Sequence, residues 1–210
     1  MIPTECKMPD LSKLELLQGN LLLQLTFGQG DSGLSHNMSI FRRVFIRLLD
    51  KAVLEYRQAR TAIVAQIEED KRPTKEMKAT GRIIYIFAFV DHLENCLNAV
   101  RRLLRILDRI KNEPTGPAIP RLTRRLIETQ RQPIIDFRDI IEHIDERINN
   151  DEFGTGPVML KPAHDTASVQ IGCCYLRLDD LARIIENLHE IASYLVTYSD
   201  SKPESDGTIT

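Results

Sequence analysis

Cysteine is scarce in this chain, and its four copies are not grouped for metal binding. Cys6, Cys96, Cys173 and Cys174 form no CxxC pair, and an adjacent pair such as Cys173 and Cys174 rarely chelates a metal or closes an unstrained bridge. They read as buried or idle reduced thiols. Long apolar runs are lacking too: the longest, Ile83 to Val90, falls far short of the ~20 residues needed to cross a bilayer. The start, MIPTECKMPD, has no basic end followed by an apolar core, so it does not read as a leader. A cytoplasmic protein without a membrane span is expected.

An excess of one charge sign is also missing. The net charge of -2 argues against nonspecific nucleic-acid binding over the whole surface and leaves room only for a local basic face. The histidines His36, His92, His143, His164 and His189 are scattered, and none belongs to an HExxH signature. No metal and no cofactor is therefore expected. His92 in DHLEN, beside Asp91 and Glu94, comes nearest to a ligand set, but such a charged stretch reads first as a solvated helix face.

What the chain has is length and apolar periodicity. Its 210 residues, 42% of them hydrophobic, suffice for one well-cored domain, or for a bundle with a small elaboration. Residues 1–37 hold a leucine-rich segment and a glycine-rich loop, and within 11–27 the run LLLQLTF reads equally as strand or helix. A long helical pattern follows over about 38–70. Pro73 and the charged KEMKATG make a connector. A second pattern from Arg82 to Lys111 predicts a helix of about 29 residues, roughly 43 Å long.

NEPTGPAIP breaks the chain, and a third helical segment spans 121–149, where Pro133 should kink the helix or divide it in two. The mixed stretch from Gly154 to Leu178 predicts a hairpin, with strands near 158–161 and 168–175. Leu178 to Tyr198 forms a final amphipathic helix with Asp179 or Asp180 at its entry. Residues 200–210 are polar and should be frayed. The expected fold is all-α: a bundle of four to five helices, several of them long, over 38–199, with a small β-hairpin before the last helix.

The loop GQGDSG imitates two known patterns. Gly28, Gly30 and Gly33 have the spacing of a dinucleotide-binding fingerprint, which works only if a helix starts at the glycines and aims its N-terminus at a pyrophosphate. Here the helical pattern starts several residues later and no alternation of strands and helices follows. Gly30-Asp31-Ser32-Gly33 also looks like the segment around the nucleophile of chymotrypsin-like proteases. Those enzymes are paired β-barrels with their histidine and aspartate earlier in the chain, and this chain has no histidine before His36.

FRDIIEHIDERI, Phe137 to Ile148, carries the densest chemistry. On a helical wheel centred on Phe137, Ile134, Ile140, Ile141, Ile144 and Ile148 fall within roughly 60° and define a core stripe. Arg138 at about 100°, Glu142 at about 140°, Asp139 at about 200° and His143 at about 240° lie off it. Asp139 and His143 are four apart, as are Arg138 and Glu142, so both can form surface ion pairs.

The alternative is chemistry on RNA. The ribose 2′-hydroxyl is a built-in nucleophile, so cleavage needs a proton acceptor or donor near neutral pH, which a histidine supplies. It also needs a cation for the charged phosphorane, which an arginine fork supplies. The two side chains diverge by about 140° on one helix, so this mechanism implies a homodimer that pools two copies across a twofold axis. From Arg101 to Arg131 nine basic residues face three acidic ones, a net of +6. Arg121, Arg124, Arg125 and Arg131 are the candidate RNA-binding residues of that stretch.

Arg138-Asp139-Ile140-Ile141-Glu142-His143 resembles the ribonuclease motif of the HEPN superfamily: an arginine, a polar follower and a histidine after four to six intervening residues. The resemblance covers about 80–199. It implies an all-α bundle, a homodimer with both motifs at the interface, and metal-independent endoribonuclease activity. It also implies service in toxin-antitoxin or phage-defence systems, with an antitoxin as a possible protein partner. Arg138 would then hold the phosphate, His143 would be the acid or base, and Asp139 would support them. Arg183 and His189 satisfy the same spacing, with apolar Ile184 after the arginine. The competing expectation is a noncatalytic helical bundle that binds a partner protein, or an inactive HEPN-like scaffold.

Overall fold

The computed structural model describes residues 3–28 and 30–199; the tail expected to be frayed, 200–210, lies outside them. Among the described residues there are seven helices and three short strands: α1 (Gln18–Phe27), α2 (His36–Lys71), α3 (Thr74–Thr80), α4 (Ile86–Ile110), α5 (Arg121–Glu142), α6 (Ile144–Asn149), β1 (Lys161–Pro162), β2 (Ser168–Ile171), β3 (Cys174–Arg177) and α7 (Leu178–Thr197). The fold is a bundle built on the four long helices α2, α4, α5 and α7. Among the described residues no helix is long and apolar enough to cross a membrane.

The 36 residues of α2 span roughly 54 Å and form the mast of the bundle. Ser35 opens the helix, its hydroxyl accepting from the Met38 amide at 3.1 Å, as N-cap serines do. Pro73 follows its C-terminal end, where the helix cannot continue. α4 runs antiparallel to α2. At one end the Gln66 side-chain oxygen accepts the Tyr85 and Ile86 amides at 2.8 and 3.1 Å, and at the other Ser35 donates to Glu113 at 3.0 Å. The Gln66 contact also sets where α4 starts. The helix expected from Arg82 begins at Ile86 instead, because Ile83 donates its amide to Glu69 of α2 and Tyr85 and Ile86 donate theirs to Gln66.

Three further boundaries differ from expectation. KEMKATG is not a bare connector but contains α3. Pro133 does not divide its helix: α5 runs through it to Glu142. Pro133 and Thr129, whose carbonyl loses its donor, are both exposed, while buried Ile127, Ile134 and Phe137 anchor the turns on either side. The break comes at His143, whose φ of -109° and ψ of 29° leave the helical region. This resets the phase of the wheel. Ile134, Phe137 and Ile140 are buried and Ile141 and Ile144 are partly buried against the core, but Ile148 is 51% exposed and does not belong to the stripe.

The expected hairpin is a three-stranded antiparallel sheet in the order β1-β2-β3. The strand expected at 168–175 is two strands, separated by a turn in which Gly172 has a φ of 55°, a left-handed conformation open to glycine. Val169 pairs with Leu176, and both are buried with Ile171 on the sheet face that packs on α5 and α7.

The N-terminal segment is tied into the same core. Met8, Leu11, Leu17 and Leu21 are buried, and LLLQLTF resolves as helix α1. The reason sits on α2: the buried carboxylate of Asp50 accepts the Leu17 and Gln18 amides, both at 2.9 Å, and satisfies free donors of the first turn. Arg57 and Arg60 donate to the carbonyls of Leu11 and Met8, which fastens the preceding coil.

Candidate functional site

Arg138 and Asp139 lie in the last turn of α5, and His143 is the junction with α6. Arg138 pairs with Glu142, as the four-residue spacing predicts. The pairing expected between Asp139 and His143 does not form. Asp139 receives the His143 amide on its backbone carbonyl at 3.2 Å, and the His143 imidazole pairs with Glu146 of α6 at 3.3 Å. The helix break turns the ring towards the following turn, where a different carboxylate meets it.

The His143 side chain is about half exposed and Arg138 about a quarter exposed. Neither lines the cavities between α5 and α7, beside Pro3 and Arg82, beside Gly30 and Tyr198, or along β1 and β2. Within one chain the arrangement forms two ion pairs near the surface.

The four candidate RNA-binding arginines divide. Arg131 bonds Asp108 of α4 at 2.9 Å and Glu128 at 3.0 Å, and Lys111 joins Glu128 at 3.0 Å. Burial alone would raise the Asp108 and Glu128 carboxyls, but Arg131 and Lys111 outweigh it and hold both below their ordinary values. This network clamps α5 to α4. Arg121, Arg124 and Arg125 are exposed on the first turns of α5 and pair with no carboxylate among the described residues. Close by, a cavity of about 350 Å³ is lined by Ala118, Ile119, Pro120 and Thr123 before and within α5 and by Glu190, Ile191 and Tyr194 of α7.

The other motifs resolve as structure. Asp31 of the glycine-rich loop pairs with Arg42 and Arg43 and accepts from the Ser39 hydroxyl. Arg42, itself buried, also donates to the carbonyls of Gly30 and Tyr198 at 2.9 and 3.0 Å. The loop is thus latched onto α2 and onto the residue after α7. Burial would raise the Asp31 carboxyl, but Ser39, Arg43 and Arg42 hold it below its usual range. Sequence reasoning missed this latch. Its signal was Arg42, which stands on the apolar stripe of α2 four residues after Met38 and three before Phe45.

His92 bonds Glu55 of α2 at 2.8 Å, which makes it a bridge between helices. His189 bonds the Glu15 carbonyl at 2.8 Å, so the second Arg-to-His spacing ends on a tether to the N-terminal segment. Cys96 is buried, Cys6 and Cys174 are partly exposed and Cys173 is exposed, all four free; burial pushes the Cys96 thiol up. Among the described residues no group of three His, Cys, Asp or Glu side chains is placed to hold a metal ion. No family model, no curated protein and no solved structure matches the chain.

Proposed function

We infer that the chain is a noncatalytic helical scaffold that works by binding a partner protein, HEPN-like in its motif spacing but without the motif's chemistry. One observation carries this reading: Arg138 and His143 are each taken by a separate nearby carboxylate, Glu142 and Glu146. A phosphate-binding arginine and an acid-base histidine need a shared space in which to meet a substrate. The test is incubation of mixed RNA with the purified chain in excess chelator. RNA left intact is the expected result, and cleavage that disappears in His143→Ala overturns the reading.

A metal-independent endoribonuclease acting as a homodimer is the second reading. It is favoured by Arg121, Arg124 and Arg125, exposed cations without carboxylate partners of the kind that hold a polyanion. It requires a second copy to bring an arginine and a histidine together, and a role in toxin or defence systems would follow only from that activity.

A further inference from the structure

The cavity between α5 and α7 has an apolar border that no other described residue covers. Leu122 is 71% exposed and Leu126 42%, while Tyr194 on the α7 side is 50% exposed. Leu122 and Leu126 are one helical turn apart, about 6 Å along α5, and they follow Pro120 and flank Thr123, both of which line the cavity. Two packed helices with a trough between them accept the ridge of a third helix. Anchors one turn apart suit that geometry.

Charge selects the occupant. On the α5 wheel Arg125 lies about 60° from Leu122 and Arg121 about 100°, so both border the leucine stripe. Arg124, about 160° from Leu122, points elsewhere. Among the described residues the only charged one lining the cavity is Glu190 on α7, so an acidic group is favoured at the α5 edge and disfavoured at the α7 edge. A second copy of the chain that laid α5 on α5 here would set these arginines against their own copies. RNA would use the arginines but leaves two aliphatic anchors without a role, since single strands stack on aromatic side chains.

We propose that this trough is the docking site for an acidic amphipathic helix of a partner protein, which inserts apolar side chains beside Leu122, Leu126 and Tyr194 and sets its carboxylates against Arg121 and Arg125. The assignment rests on the interaction-scaffold reading above. The probe is a fluorescent synthetic helix of about five turns, leucine on one face and glutamate on the other, titrated into the full chain by anisotropy.

Saturable binding is expected. It should weaken ~10-fold or more in Leu122→Ala with Leu126→Ala and in Arg121→Glu with Arg125→Glu, and stay unchanged in Arg124→Glu. A lysine version of the probe should bind the charge-reversed variant better than the parent. All these side chains are exposed, so the variants keep the core. Absence of saturable binding, or binding indifferent to the leucines, overturns the assignment. So does a mixed-sequence RNA oligonucleotide that binds in its place and loses affinity in Arg121→Glu with Arg125→Glu. Failure of the probe with RNA left intact removes only the docking site, whereas His143-dependent cleavage removes the scaffold reading itself.

Discussion

Arg138 donates to Glu142 one turn further along α5, so its guanidinium is occupied within its own helix. The His143 imidazole pairs with Glu146 across the helix break. Partly exposed pairs of this kind contribute at most about 1 kcal/mol. Arg138→Ala and His143→Ala should each change unfolding stability by less than about 1 kcal/mol, measured by urea titration, with unchanged helical circular dichroism. A much larger loss from either would mean that the side chain has a second role in the assembled protein.

The break at His143 separates two isoleucine environments that a single wheel merges. Phe137→Ala should cost about 3–5 kcal/mol, the usual range for emptying a buried aromatic position. Ile148→Ala should change stability by under about 0.5 kcal/mol, as exposed positions do. Equal losses at the two sites would mean that α5 continues through His143 in solution.

Pro133 stands in the interior of α5, where it removes a helical hydrogen bond and crowds the carbonyl four residues back. Its exposed position leaves room for a replacement. Pro133→Ala should raise stability by about 2 kcal/mol, the helical gain less the flexibility returned to the unfolded chain. An unchanged or lower denaturation midpoint would show that the local bend is required by the packing of α5 on β3 and α7.

Asp31 ties stability to pH. Its folded-state carboxyl lies below the ordinary 3.8, so the latch adds stability above that pH and loses it as pH falls through the lowered value. Denaturation midpoints should be flat near neutrality and fall below about pH 4, with Asp108 and Glu128, also lowered, adding to the slope. Asp31→Asn should lower stability at pH 7 and flatten the acid limb; a variant limb as steep as the parent's would mean the latch plays no part.

The long helices and the strand-rich insert were legible because apolar periodicity over twenty or more residues leaves few alternatives. α2 was expected at 38–70 and runs from His36 to Lys71; α7 was expected from Leu178 and starts there. Two of the misses share a cause: a partner distant in sequence. α4 starts late because of Gln66, and α1 is a helix because Asp50 meets its first turn. The candidate site shows the same limit. The Arg138 and Glu142 pair was readable from spacing, but the His143 partner depended on a backbone break that no proline or glycine announces.

The coil before α1 also constrains when the molecule can be finished. Thr4 donates its amide to the His164 carbonyl at 2.9 Å, and Lys7 donates its amide to the buried Thr166 hydroxyl at 2.8 Å. During synthesis these partners reach the growing chain roughly ten seconds or more after the coil itself, at ~5–20 residues per second. Thr4 and Lys7 thus find their places only once His164 and Thr166 have been made.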